Sequence, residues 1–356
     1  MKNGWQTKNL GDLCDVLDHK RKPVTKRDRM AGDFPYYGAT GVLGYVEGYL
    51  FDEKLVLVGE DGAKWGSGEN TAFAVQGKIW VNNHAHVLRP HRTKVFDNWL
   101  IHFLNHSDLS EFVSGLTVPK LNQGNLREIP IPLAPLGEQQ RIVDILNKAF
   151  EGIATAKANA EKNLHNARAL FESHLQSIFT QRDDGWVHTT IGDQVMLQRG
   201  FDITKNEQME GDVPVVSSGG IKSFHDKAMV QAPGVVIGRK GTLGKVFYLE
   251  INFWPHDTTL WVRDFKRNDP RFVYYFFKGL DVKDLDSGAA NPALNRNQVH
   301  PIEVHWPPIS RQKAIAATFD ALSEETQRLE SIYQQKLAAL QALKKSLLHQ
   351  AFSGQL

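Results

Sequence analysis

The sequence predicts an α+β protein with an internal repeat, in which two strand-rich globular domains are separated and followed by two long helices. Residues 135–181 and 307–354 each carry apolar residues at steps of three and four, the pattern of one stripe along a helix. A shift of 173 residues lays the first stretch on the second. The residues that coincide are Pro135 and Pro308, Gln139 and Gln312, Ile142 and Ile315, Leu146 and Phe319, Leu164 and Leu337, and Phe179 and Phe352.

The first globular domain is predicted at residues 1–135. Short apolar and β-branched runs, such as residues 55–58 and 79–81, alternate there with glycine-rich turns, which is typical of strands. A more helical segment follows at residues 96–106. The block therefore indicates a strand-rich domain that contains a late helix.

A long helix is predicted at residues 136–181. Pro135 breaks the chain just before it, and Glu138 lies in the first turn, where the helix dipole favours an anion. At about 1.5 Å per residue the helix is roughly 65 Å long, about twice the diameter of a small domain. A narrow apolar stripe on such a helix requires a partner of matching length.

The second domain, at residues 182–308, repeats the first, and the second long helix follows at residues 309–356. Trp5 and Gly11-Asp12 match Trp186 and Gly192-Asp193 at a shift of 181. Because the helices match in length and stripe, we expect an antiparallel coiled coil and pseudo-two-fold symmetry, with the end of the second helix near the N-terminus. The residues expected in the helix interface are Ile142, Leu146, Ile153, Leu164, Phe171, Phe319, Leu322, Leu329, Leu340 and Leu347.

Composition and charge restrict the class of protein. The 356 residues are 41% apolar and 23% charged, and no run approaches 18 uncharged apolar residues, so we expect a soluble protein without a membrane span. The first ten residues show no apolar signal region, so the expected location is the cytoplasm. The single Cys14 excludes an internal disulfide. A net charge of +2 means that any contact with a polyanion depends on local basic clusters.

No catalytic, cofactor or metal site is predicted on this chain. The sequence has no Asn/Asp-Pro-Pro-Tyr/Phe loop for a flipped base and no G-x-G-x-x-G motif after a strand. The glycine-rich run at residues 238–246 has Val246 where a phosphate loop needs Ser or Thr. His84, His86 and His91 lack helical i, i+4 spacing and a carboxylate pair nearby in the sequence, so we expect polar positions of a strand.

The arrangement resembles the specificity subunits of type I restriction–modification systems. The most specific part is the join at residues 121–146, which residues 294–319 echo, although Arg311 stands where the first copy has Glu138. The resemblance implies bipartite DNA recognition: each target-recognition domain reads one half-site, and the coiled coil fixes the spacing. It also implies a non-catalytic chain on whose helices two methyltransferase (modification) subunits dock, with restriction subunits joining the complex. S-adenosylmethionine, ATP and Mg²⁺ are then expected on those partners.

DNA contact requires Lys or Arg for phosphates, and Arg, Lys, Asn or Gln for base edges. The residues predicted to contact DNA are Lys20, Arg21, Lys22, Lys26, Arg27, Lys64, Lys120, Asn122, Arg199, Lys205, Arg239, Lys240, Asn295 and Arg296. The basic runs could equally be solvated loops, the Asn-containing join could cap the long helix, and Trp65 could stack on bases or lie in the core. The alternative function is a two-domain structural adaptor that binds proteins.

Overall fold

The computed structural model describes residues 4–115, 117–180, 185–280 and 293–356. The predicted repeat at residues 1–3, 181–184 and 287–292 lies outside the described residues. The chain divides into two compact units, unit 1 (Met1–Ala160 and Gln335–Leu356) and unit 2 (Glu161–Gln334). Each unit therefore holds one strand-rich domain together with segments of both long helices. The predicted α+β class and its repeat are confirmed.

In its described residues, unit 1 has ten strands and three short α-helices before the first long helix. The strands are β1 (Gln6–Asn9), β2 (Cys14–Val16), β3 (Phe34–Gly38), β4 (Gly41–Val46), β5 (Phe51–Asp52), β6 (Leu55–Gly59), β7 (Ala72–Val75), β8 (Lys78–Val81), β9 (Ala85–Pro90) and β10 (Pro130–Leu133). The helices are α1 (Leu10–Leu13), α2 (Asp97–His106), α3 (Gln123–Glu128) and the long α4 (Leu136–Thr180).

The strands of unit 1 form two four-stranded sheets and one two-stranded ladder. The first sheet has the order β2-β9-β6-β7 and is antiparallel throughout, and the second has the order β4-β3-β8-β5. Strands β1 and β10 pair antiparallel and bring the two ends of the domain together. All five residues of β6, Leu55–Gly59, are buried, which fits the continuous apolar run of a strand covered on both faces.

Unit 2 repeats this topology. Its strands are β11 (Val187–Thr190), β12 (Met196–Arg199), β13 (Val213–Ser217), β14 (Gly220–His225), β15 (Gly234–Gly238), β16 (Val246–Leu249), β17 (Trp254–Pro255), β18 (Thr259–Asp264) and β19 (Glu303–Trp306). Its helices are α5 (Ile191–Gln194), α6 (Pro270–Gly279), α7 (Arg296–Val299) and the long α8 (Ile309–Ser353). The sheet orders are β12-β18-β15-β16 and β14-β13-β17, with a β11-β19 ladder, so strand after strand matches unit 1 except β5.

The two long helices pair antiparallel within each unit. In unit 1 the Arg141 guanidinium donates to the carbonyl oxygen of Leu356 at 2.7 Å, and Lys344 lies 5.1 Å from the centre of the Phe150 ring. In unit 2 Arg168 of α4 forms an ion pair with Glu330 of α8 at 2.6 Å. The apolar residues at this pairing in unit 2 are Phe171, Leu175, Ile315, Ala316 and Phe319, all buried.

Burial along the predicted helix interface is uneven. Ile142 and Leu146 are fully buried in the core of unit 1, and Phe171 and Phe319 are buried in unit 2. The other predicted interface residues are half-buried: Ile153, Leu164, Leu322, Leu329, Leu340 and Leu347. A pair of helices with no third layer covers only one side of each such residue, whereas the helix ends also pack against the strands and short helices.

The C-terminal ends of the long helices occupy equivalent places in the two units. Phe352 of α8 packs against Trp99 of α2 with ring centres 5.0 Å apart. Phe179 of α4 packs against Phe272 of α6 at 5.8 Å. Trp5 also contacts Trp99, at 5.5 Å, so within unit 1 the end of α8 lies close to the beginning of the chain. This proximity agrees with the predicted pseudo-two-fold symmetry.

The matched glutamines attach the start of each long helix to its domain. Gln139 is fully buried, accepts from the Phe96 backbone N–H at 3.1 Å and donates to the carbonyl oxygen of Lys94 at 3.0 Å. Gln312 is likewise buried in unit 2, where it accepts from the Asp269 backbone N–H at 2.9 Å and donates to the Asn268 side-chain oxygen at 2.7 Å. Both side chains satisfy backbone groups just before α2 and α6, which explains why the repeat keeps a glutamine here.

Among the described residues, no helix combines the length and the apolar character needed to cross a membrane.

Candidate nucleic-acid interface

Four loops of unit 1 meet at one end of its sheets, and together they form the loop face of unit 1: residues 18–22, 60–64, 82–84 and 120–123. Arg21 connects its own loop with the loop at residues 60–64 and with Ala85, the residue that follows the loop at 82–84. Its guanidinium forms ion pairs with Asp18 at 3.3 Å and with Glu60, and it donates to the carbonyl oxygen of Ala85 at 2.9 Å. Predicted DNA-contact residues that are distant in the sequence are therefore close in space.

Lys120 brings the last loop onto the same acidic turn. Its ammonium group lies 2.7 Å from Glu60 and 3.8 Å from Asp61. The hydrogen bond to Glu60 raises the pKa of Lys120 above its ordinary value. Asp61 in turn contacts His84, so the acidic pair Glu60-Asp61 is surrounded by donors. Glu60 and Asp61 were not predicted from the sequence, because a phosphate contact requires Lys or Arg.

His86 lies at the centre of this network and is fully buried. Its Nδ1 is 2.6 Å from the Asp18 carboxylate, and its Nε2 is 2.7 Å from the carbonyl oxygen of Leu121. Both ring nitrogens therefore have a hydrogen-bond partner, and these contacts hold residues 18, 86 and 121 together. Burial raises the pKa of Asp18, but His86, the Val87 backbone N–H and Arg21 outweigh burial, so the pKa lies below its usual value.

The structure brings two carboxylates close to His86, although none was expected near the histidines from the sequence. Asp18 and Glu60 provide the carboxylate pair that His86 lacks in the sequence, and the three side chains offer ligand atoms within 4.8 Å of one another. The group is nevertheless a poor fit for a cation. Arg21 contacts both carboxylates, and the Lys120 ammonium group adds a second positive charge at Glu60, so the two acids already have counter-charges.

The remaining predicted residues of unit 1 differ in exposure. Lys20, Lys22 and Lys64 are exposed on the loop face. Lys26 and Arg27 are also exposed, but they lie in a separate turn that no described contact joins to the loop face. Asn122 is half-buried. The Trp65 ring is buried and its Nε1 donates to the carbonyl oxygen of Gly59 at 3.1 Å, which places it in the core.

The Asn-containing joins cap short helices. Asn122 accepts from the backbone N–H of Asn125 at 2.9 Å and caps α3. Asn295 accepts from the backbone N–H of Asn297 at 3.0 Å and forms a capping box with Gln298 at the start of α7. The expected alternative of a cap on the long helix is therefore wrong, because α3 or α7 and a strand intervene.

Unit 2 presents a corresponding loop face, formed by residues 199–202, 239–245, 256–258 and 293–297. Arg199 contacts Asp202 and Asp257, each at 3.1 Å. Arg239 is half-buried and its guanidinium lies 3.4 Å from the carbonyl oxygen of Asp257. Lys240 and Arg296 are exposed on this face, whereas the exposed Lys205 lies outside it. Asp257 is the partner that the sequence did not predict.

The fold and its two polar loop faces define a duplicated α+β binding protein, and comparison with known proteins places it in a family. The model of the type I restriction modification DNA specificity domain matches residues 2–164 and 183–339. The chain therefore belongs to this family and carries the domain twice.

Relatives of the chain extend over most of its length. A Haemophilus influenzae protein named as a type I restriction enzyme specificity subunit is 26% identical over 339 residues, covering 88% of this chain and 86% of its own. The EcoDI specificity subunit of Escherichia coli is 21% identical and covers 99% of this chain and 88% of its own.

Two solved structures share the fold. One, from work on assembly and conformational transition of the type I R-M system, has a TM-score of 0.77 at 16% identity and covers 100% of this chain and 99% of its own. The HsdS subunit of Thermoanaerobacter tengcongensis has a TM-score of 0.60 at 15% identity, with 100% and 98% covered.

Proposed function

We propose that this chain reads a bipartite DNA site, with one half-site for each loop face. The observation that carries the proposal is the duplication: each unit gathers basic and amide side chains from four separate loops at the same end of the same sheets. Family membership supports DNA recognition as the activity. A single reading surface would serve one continuous site, whereas two surfaces on one chain serve two half-sites with a spacer.

Exposed cations of each loop face are proposed to contact phosphates. In unit 1 these are Lys20, Lys22 and Lys64, and in unit 2 it is Arg296. Lys26, Arg27 and Lys205 are proposed to extend the contact to neighbouring phosphates. Arg21, Arg199 and Lys120 are engaged by carboxylates, so their main role is to hold the loops in place for the exposed residues.

The long helices are proposed to hold the partner subunits. Their outward faces are exposed over most of α4 and α8, which provides a surface for protein docking. We propose that two modification subunits dock there, bind S-adenosylmethionine and methylate adenine, and that restriction subunits using ATP and Mg²⁺ join them. In this arrangement the chain itself performs no catalysis and determines where the partners act.

The test is sequencing of methylated bases in cells that express the modification subunits with and without this chain. A two-part methylated motif that requires the chain supports the proposal. A gel mobility-shift assay of DNA with the complex distinguishes DNA recognition from the alternative of a protein-binding adaptor. An adaptor that binds only proteins would leave both the methylated motif and the DNA mobility independent of the exposed loop-face cations.

A further inference from the structure

The turns that follow β6 and β15 have the same backbone and opposite charges. Both turns hold a glycine with positive φ, Gly62 at 69° and Gly241 at 80°, a conformation that glycine adopts readily. The backbone hydrogen bonds of the two turns also correspond. Glu60 N donates to His84 O and Arg239 N donates to Thr258 O, both at 2.8 Å, while Leu121 N donates to Glu60 O at 2.9 Å and Leu294 N donates to Arg239 O at 3.0 Å. The isolated β-bridge Asp61–Lys120 of unit 1 likewise corresponds to Lys240–Ala293 of unit 2.

At this shared position the side chains are reversed in charge. Unit 1 presents Glu60-Asp61, and unit 2 presents Arg239-Lys240. The first residue of each pair is the less accessible one: Glu60 is buried and Arg239 is half-buried. Lys240 is exposed, and the Asp61 side chain keeps 19% of its surface exposed.

The neighbouring ion pair is reversed as well. Asp18 and Arg21 form a pair three residues apart in unit 1, and Arg199 and Asp202 form the same pair in the opposite order in unit 2. The reversal therefore extends over two loops of each face. Two faces that share one backbone but exchange donors for acceptors are expected to bind different chemical groups.

The edges of the DNA bases offer the matching groups. In the major groove guanine presents two acceptors, O6 and N7, which Arg and Lys recognise. Cytosine N4 and adenine N6 are amino donors, which a carboxylate accepts. Phosphates repel a carboxylate, so Asp61 does not fit the DNA backbone. His84 and Lys120 contact its two oxygens, and the remaining lone pairs of this partly exposed carboxylate can accept from a base amino group.

We propose that residues 60–61 and 239–240 are specificity-determining positions that make the two half-sites different. Unit 2 reads a guanine with Lys240, supported by Arg239. Unit 1 reads an amino-bearing base, cytosine or adenine, with Asp61. This inference rests on the proposed function and adds to it the identity of the reading positions and the class of base at each.

The experiment compares Lys240→Ala with the matched control Lys205→Ala, each in the full chain expressed with the modification subunits. Methylated sites are sequenced, and thermal melting of each variant is recorded. We expect Lys240→Ala to reduce the preference for one guanine in one half-site by about 5- to 150-fold, the range of a good base contact, and to leave the other half-site unchanged. Lys205→Ala removes a proposed phosphate contact, so it should lower methylation at all sites alike and leave the base sequences of both half-sites as in the parent chain.

The reciprocal variant is Asp61→Asn, which should relax a cytosine or adenine in the other half-site only. If this variant fails to fold, the Lys240 comparison decides alone. If Lys240→Ala lowers methylation equally at all sites and leaves the motif unchanged, Lys240 contacts a phosphate and the inference is overturned. Loss of preference for a base other than guanine would also overturn it. A parent motif that does not depend on the chain, or that has one part, would instead contradict the proposed function.

Discussion

Arg21 illustrates how a basic residue that was predicted to contact DNA can serve the fold. Its guanidinium contacts two carboxylates and a backbone carbonyl, and only 13% of the side chain is exposed. Lys22, the next residue, is exposed, and its backbone carbonyl accepts from Trp80 Nε1 at 2.7 Å. Two adjacent cations of the same basic run therefore have different physical roles.

We predict that Arg21→Ala destabilises unit 1 by about 3 kcal/mol, because it leaves Asp18 and Glu60 without their shared counter-charge. Lys22→Ala is the matched control and should change the free energy of unfolding by less than about 0.5 kcal/mol. Urea unfolding of both variants measures the difference. An equal, small effect of the two substitutions would show that the network around Glu60 does not stabilise the loops.

In DNA binding we expect the opposite order, with a larger effect for Lys22→Ala than for Arg21→Ala on the salt dependence of the affinity. Lys22→Ala is expected to lower the salt dependence of DNA affinity, since each phosphate contact contributes about 0.9 to the slope of log K against log salt. That outcome would assign the phosphate contact to Lys22 and the structural role to Arg21.

At the scale of elements, apolar burial holds the long helices together at their ends. Phe171 of α4 is buried, its ring centre lies 6.1 Å from that of Phe319 of α8, and Lys278 of α6 lies 4.7 Å above it. Leu170 is the adjacent residue and is 66% exposed. One helix position thus separates a core side chain from a solvated one, as the helical period requires.

We predict that Phe171→Ala destabilises unit 2 by about 3–5 kcal/mol, through lost burial and the cavity left behind. Leu170→Ala should cost less than about 0.5 kcal/mol. Thermal unfolding of the two variants supplies the comparison. Similar losses for both residues would mean that the stripe on α4 is rotated away from α8.

The long helices could be predicted because their information is periodic and local. Ile142, Leu146 and Phe171 fall on one stripe, and the repeat identifies the partner helix. The loop faces could be predicted only in part. Exposed lysines such as Lys22 follow from composition, but the contact of Asp18 with His86 joins residues 68 positions apart. Such a pairing depends on strand order, which the apolar pattern alone does not determine.

The same distinction explains the two Asn-containing joins. Asn122 and Asn295 were expected either to contact DNA or to cap a long helix, and the structure shows that they cap α3 and α7. These short helices of 6 and 4 residues carry too little periodicity to be recognised in advance. A cap occupies the side-chain oxygen, and the Asn122 amide nitrogen also donates to the Ser114 hydroxyl at 3.2 Å, which leaves its second amide hydrogen for a base.

At the scale of the whole molecule, we propose that the two repeated domains read DNA and that the long helices set the distance between them. Each unit draws on both long helices, because α4 and α8 each contribute one segment to unit 1 and one to unit 2. Changing the length of the helices should therefore leave the loops of each unit as they are. We expect such a change to alter the number of base pairs between the half-sites and nothing within them.

The central claim is that two loop faces read two half-sites while the helices set the spacer. Its most direct test is sequencing of methylated sites for a variant with four residues inserted in the middle of α4 and four in α8. The insertion adds about 6 Å to each helix, close to the length of two base pairs. We predict the same two half-sites separated by a spacer one or two base pairs longer. An active variant with an unchanged spacer, or with an altered half-site, would contradict the account.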